Sequence, residues 1–166
     1  MINKNIRDEL RERSYPENEI AKVIDKQVLI VPQLIISEED TNDKSQLIRG
    51  EVSDIRKLLT QAGFETEVIL DKALGRKALI RRDADIVFPL ILFAANIPLN
   101  IVTSYIANWL YTRFQDKKIN IKYEHARFGS DGKIIDYIKL EGKADEVAKI
   151  LKSGKFEANN DTKKIK

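Results

Sequence analysis

Residues 83–114 read DADIVFPLILFAANIPLNIVTSYIANWLYTRF, and no residue between Asp85 and Arg113 carries a charge. In a chain that is 33% charged, so long a neutral run is a membrane segment, the centre of a folded core, or a face for a partner. From Ile86 the mean hydropathy over a window of about 19 residues is roughly +1.9, inside the range of membrane-spanning helices. Pro89, Asn96, Pro98 and Asn100 interrupt that window, and an unpaired Asn is costly in hydrocarbon. Basic residues stand on both sides, Arg81 and Arg82 before and Arg113, Lys117 and Lys118 after, so no asymmetry sets an orientation.

The run reads better as an apolar helical region broken near its middle. Asn96 suits a cap and Pro98 the first turn of a helix continuing to about Phe114. On that helix Asn100, Ser104, Asn108 and Thr112 recur every four residues as a polar, uncharged stripe, with Leu99, Val102, Ile106, Trp109 and Leu110 on the remaining surface. A largely buried helix with one side near water explains the pattern, and so does a seam against another subunit. The candidate interaction residues are therefore Asn100, Ser104, Asn108, Trp109, Thr112 and Arg113. Insertion of residues 86–112 into a bilayer is the alternative.

Working outward, the segment after the run is a β-hairpin. INIKYEHARF (119–128) and IIDYIKLEG (134–142) flank a turn at Ser130–Lys133. A two-residue type I′ turn at Asp131-Gly132 pairs Lys122 with Glu141, Glu124 with Lys139 and Arg127 with Asp136. Three opposite-charge pairs from one register support that register. The other face, Ile121, Tyr123 with Leu140 and His125 with Ile138, should pack on the core. Ala144–Lys152 is a closing helix.

Before the run, Val28–Ile36 (VLIVPQLII) reads as an edge or broken strand, because Pro32 cannot donate to a ladder. SEEDTNDKS (37–45) is a loop. Ile48, Val52, Ile55 and Leu59 mark a helix from about Ser45 to Ala62, ended by Gly63, and Phe64–Leu70 is a strand with Phe64, Thr66, Val68 and Leu70 on one face. Residues 1–15 read as a charged N-terminal arm, 16–152 as a single α+β domain, and 153–166 as a disordered basic tail. The expected fold is a two-layer α+β sandwich: a small mixed sheet with a C-terminal hairpin, packed against helices that include a long apolar one.

The chain has no cysteine, which removes disulfides, thiolate metal sites and a Cys nucleophile. With no apolar leader in MINKNIRDELRERSYPENE, the expected location is the cytoplasm. A net charge of +3 does not by itself argue for nucleic acid. The densest basic cluster, Arg76, Lys77, Arg81 and Arg82, suits phosphate, nucleic acid or anionic lipid, but Asp71, Asp83 and Asp85 offset it. His125 is the single histidine and sits on an apolar strand face, as a core residue does. Glu38, Glu39, Asp40 and Asp43 lack the glycine spacing of a calcium loop, and no P-loop, dinucleotide fingerprint or nucleophile elbow is present. No catalytic residue, cofactor or metal ligand is expected.

From Val52 to Lys152 the layout resembles the effector-associated constant component family, small domains encoded in bacterial conflict and antiphage operons. VSDIRKLLTQAGFETEVIL (52–70) resembles its opening helix and strand, and ANWLYTRF (107–114) its apolar helix ending in a Trp-Leu pair and an arginine. A strand, the Asp131-Gly132 turn, a second strand ending IKLEG (138–142) and a helix with Glu146 and Val147 follow in the same order. The family's middle region is rich in small residues, whereas here it is Ile, Leu, Phe, Asn and Pro. The resemblance implies a non-catalytic adaptor. Its partners would be proteins encoded nearby, a nucleotide-hydrolysing sensor or an effector, with self-association as a further expectation.

Overall fold

The computed structural model describes residues 2–32, 34–36, 44–47, 50–69, 75–77, 85–114, 119–154 and 161–164. Five helices and nine strands are placed: α1 (Ile6–Glu12), α2 (Glu17–Val23), β1 (Val28–Val31), β2 (Leu34–Ile36), β3 (Lys44–Leu47), α3 (Gly50–Gln61), β4 (Thr66–Val68), β5 (Gly75–Lys77), β6 (Asp85–Ala94), α4 (Leu99–Arg113), β7 (Asn120–Phe128), β8 (Ile134–Lys143), α5 (Ala144–Ser153) and β9 (Asp161–Lys164). They form a mixed six-stranded sheet in the order β4-β1-β6-β7-β8-β9 and a three-stranded sheet β2-β3-β5. The class is α+β, as expected.

The neutral run is not helical throughout. Its first half is β6, the interior strand that pairs antiparallel with β1 and parallel with β7. Both faces of β6 are covered: Ile86, Phe88, Ile91 and Phe93 pack on one side, Leu90 and Leu92 on the other. A strand buried on both faces reads as a continuous apolar run, so it cannot be told from a buried helix by periodicity. Pro89 makes the two halves agree. The β6–β7 register shifts between Val87 and Leu90, setting one extra residue into β6. That bulge absorbs the missing N–H of Pro89 and inverts the side-chain alternation, so that Ile86 and Phe88 share a face with Ile91 and Phe93.

The long apolar helix is thereby corrected to the 15-residue α4. Its N-cap is Pro98, without a side-chain cap, and Asn96 lies in the preceding turn rather than capping. Val102, Ile106, Ala107 and Leu110 face the sheet together with Val52, Ile55 and Leu59 of α3 and Val147, Ala148 and Leu151 of α5. Among the described residues no helix is long and apolar enough to cross a membrane.

The two-layer expectation is corrected as well. The opposite sheet face is covered by Ile6, Leu10 and Tyr15, from the segment 1–15 read as a charged arm, together with Ile20 and Val23 of α2, which pack on Leu29, Val31, Leu90, Leu92, Ala126, Phe128 and Ile134. Most charges of α1 are paired around its apolar stripe. Buried Glu9 lies 2.9 Å from both Lys4 and Arg13, and Arg11 bonds Asp8 and Glu17. Lys4 and Arg13 hold the Glu9 carboxyl below its ordinary range against the desolvation that would raise it.

Elsewhere the elements follow the pattern with local differences. Val28–Ile36 is broken as Pro32 requires, but β1 is interior rather than an edge. Lys44–Leu47 is a strand and the helix begins at Gly50, with Gly63 (φ 99°) behind it. Residues 161–164 of the expected disordered tail run parallel to β8. Residues 37–43 and 155–160 lie outside the described residues.

Candidate functional site

The hairpin register is the one the charges dictate: Lys122 faces Glu141, Glu124 faces Lys139, His125 faces Ile138 and Arg127 faces Asp136. The turn differs. Only Gly132 has positive φ (82°), and its N–H donates to the Gly129 carbonyl at 2.9 Å, so the loop is a type I turn closed by a left-handed glycine. Type I′ would need positive φ at Asp131 too. The extra loop residue is compensated by a bulge at Ile135, which restores the pairing from Arg127–Asp136 onward.

His125 is 1% exposed, and its Nδ1 shares a 2.9 Å hydrogen bond with the Tyr123 hydroxyl beneath Phe88 and Phe93. Burial, with Arg127 nearby, pushes its pKa down to about 3, and burial raises that of Tyr123. Both are neutral core groups at physiological pH. Among the described residues no group of three or more His, Asp or Glu is placed to hold a metal ion; Glu38, Glu39, Asp40 and Asp43 lie outside them.

The candidate interaction residues are brought together on α4. Asn100, Asn108, Thr112 and Arg113 are exposed, and Ser104 and Trp109 are half-buried. Trp109 is anchored edge-on by Phe88 and Phe114, each 5.7 Å away between ring centres. The Thr112 hydroxyl donates to the Asn108 carbonyl at 2.9 Å. Two residues missed by the sequence reading complete this face: Ile101 (41% exposed) and Tyr105 (40% exposed) stand one helical turn apart beside the stripe. Their i, i+4 spacing was visible, but nothing local tells an outward apolar pair from an inward one. The outer side of α4 from Asn100 to Thr112 is thus uncharged and partly apolar.

The basic cluster is only partly placed. Arg76 and Lys77 belong to β5, and Arg81 and Arg82 lie outside the described residues.

A cleft of about 400 Å³ opens where β6 and β7 end. These strands are parallel, so Ala94 and Phe128 leave the sheet side by side, and the Ala95 N–H donates to the Phe128 carbonyl at 2.9 Å. The N-terminal segment forms one wall by pairing with the hairpin: Asn3 N–H donates to the Ile134 carbonyl, Ile134 N–H to that of Lys4, and Ile6 N–H to that of Gly132. Asn5 caps α1 by accepting from Arg7 N–H (2.9 Å) while its amide donates to the Asp131 carbonyl (3.2 Å). Asn5 with Asp8 three residues on was a readable helix start.

No family model, curated protein or solved structure matches the chain.

Proposed function

We propose that the protein is a non-catalytic interaction module, an adaptor subunit that joins a sensor to an effector in a bacterial antiphage defence system. The carrying observation is the outer face of α4, where Ile101 and Tyr105 are exposed within a helix free of charge from Leu99 to Thr112. Partner contacts concentrate on aromatic anchors within weakly charged surfaces, and exposed Tyr105 on the uncharged side of α4 fits that plan. The resemblance to the effector-associated constant component family supports the system and the class of partner: a nucleotide-hydrolysing sensor or an effector encoded nearby. Membrane insertion of residues 86–112 would require β6 to leave the middle of the sheet, which disfavours it as the resting role.

The test is co-purification of the chain with the products of its neighbouring genes, beside Ile101→Glu with Tyr105→Glu. Both side chains project outward, so the double variant should fold and melt as the native chain does. The expected result is a complex that survives gel filtration with the native chain and is lost with the variant. A native chain that elutes without any neighbour, or a variant that keeps its partner, refutes the reading. Recovery of the chain in washed membranes would move the function to lipid.

A further inference from the structure

The cleft at the ends of β6 and β7 lies away from the α4 face and carries its own unused chemistry. Its lining includes the apolar side chains of Ile6, Ile24 and Phe128. Its rim holds two opposite charges from distant parts of the sequence, Arg7 on α1 and Asp131 in the hairpin turn, together with the exposed amide of Asn96. The neighbours of Arg7 are consumed: Lys4 and Arg13 bind Glu9, and Arg11 binds Asp8 and Glu17. Among the described residues neither Arg7 nor Asp131 forms an ion pair within 4.0 Å, although, beside Arg11, the Arg7 charge helps to hold the Glu17 carboxyl low; Asp131 Oδ1 accepts the Lys133 N–H at 3.0 Å.

Position and charge together restrict what fits. Crevices at the carboxyl ends of strands are where open sheets hold ligands, and about 400 Å³ is within the range of small-molecule sites. An anion would be drawn to Arg7 but repelled by Asp131, and a cation would meet the reverse. A molecule with both charges and an apolar body satisfies every group. We propose that this cleft binds a small zwitterion of the α-amino-acid class, its carboxylate on the Arg7 guanidinium, its ammonium on the Asp131 carboxylate and its side chain over Phe128. A guanidinium offers a carboxylate two parallel donors, which sets the orientation.

The probes are the twenty standard amino acids, each with its N-acetyl and methyl-ester forms, titrated into the full chain by calorimetry and thermal melting. The expected result is saturable binding of one or more apolar amino acids, weakened about tenfold or more in each blocked form. Arg7→Gln and Asp131→Asn should weaken binding similarly without moving the melting temperature of the free chain; Asn keeps the turn bond to Lys133. Amide shifts on the native chain provide a readout independent of the variants and should map to residues 5–7, 94–96 and 128–132. Overturning results are no binding up to about 10 mM, equal binding of the blocked forms or variants, or shifts elsewhere.

Discussion

Lowering the pH from about 7.5 to about 5.0 should destabilise the chain by about 2 kcal/mol through His125 alone. The ordinary histidine value is 6.5, and in the folded chain burial brings it down to about 3. The unfolded state therefore takes up a proton that the folded state refuses. The contribution of the neutral imidazole is complete above about pH 6.5 and is lost as pH falls toward about 3, the sign of a group whose folded pKa is depressed. From 6.5 to about pH 5.0 is about 1.5 units, and each is worth about 1.4 kcal/mol. His125 is almost wholly buried, so solvent does not screen the effect. Buried Glu9 also loses stability on acidification, but from an ordinary value of 4.5 it acts mostly at lower pH.

The assay is urea unfolding at the two pH values, followed by the single tryptophan, Trp109. The control is Tyr123→Phe with His125→Leu, which removes both partners of the buried hydrogen bond together and so avoids stranding one of them. The native chain should lose about 2 kcal/mol more than the control over the same interval. Equal losses in both proteins would refute the assignment of a neutral, water-excluded His125.

Gly132→Ala should cost about 2 kcal/mol, because the residue has φ 82° and a Cβ would stand 3.0 Å from the Asn5 amide nitrogen; urea unfolding gives the loss, and hydrogen exchange should show residues 3–6 opening first. Leu92→Asp buries a lone carboxylate in the interior strand and should cost several kcal/mol, on the order of the whole stability, read as loss of the circular-dichroism transition. A soluble variant melting like the native chain would contradict the placement of β6. Arg127 and Asp136 form a half-buried pair across the hairpin, so Arg127→Leu alone should destabilise more than Arg127→Leu with Asp136→Leu, as a double-mutant cycle would measure.

What the sequence determined by itself was local or pairwise. The hairpin register, read from a type I′ turn at Asp131-Gly132 and supported by three opposite-charge pairs, held from Arg127–Asp136 onward although the turn type was different. Helices α3, α4 and α5 followed from apolar spacing, with Pro98 before α4 and Gly63 after α3 as end signals. Tertiary structure decided what depends on distant neighbours. Residues 85–94 are a strand because β1 and β7 lie on either side and helices cover both faces, and a segment surrounded on all sides has no polar period to show. The charged N-terminus is a packed layer because Ile6 and Leu10 meet the sheet while Glu9 meets Lys4 and Arg13, a balance invisible in a count of charges. The exposure of Ile101 and Tyr105 is set by which side of α4 the sheet covers, and Arg7 and Asp131 line one cleft only because folding brings α1 to the hairpin turn.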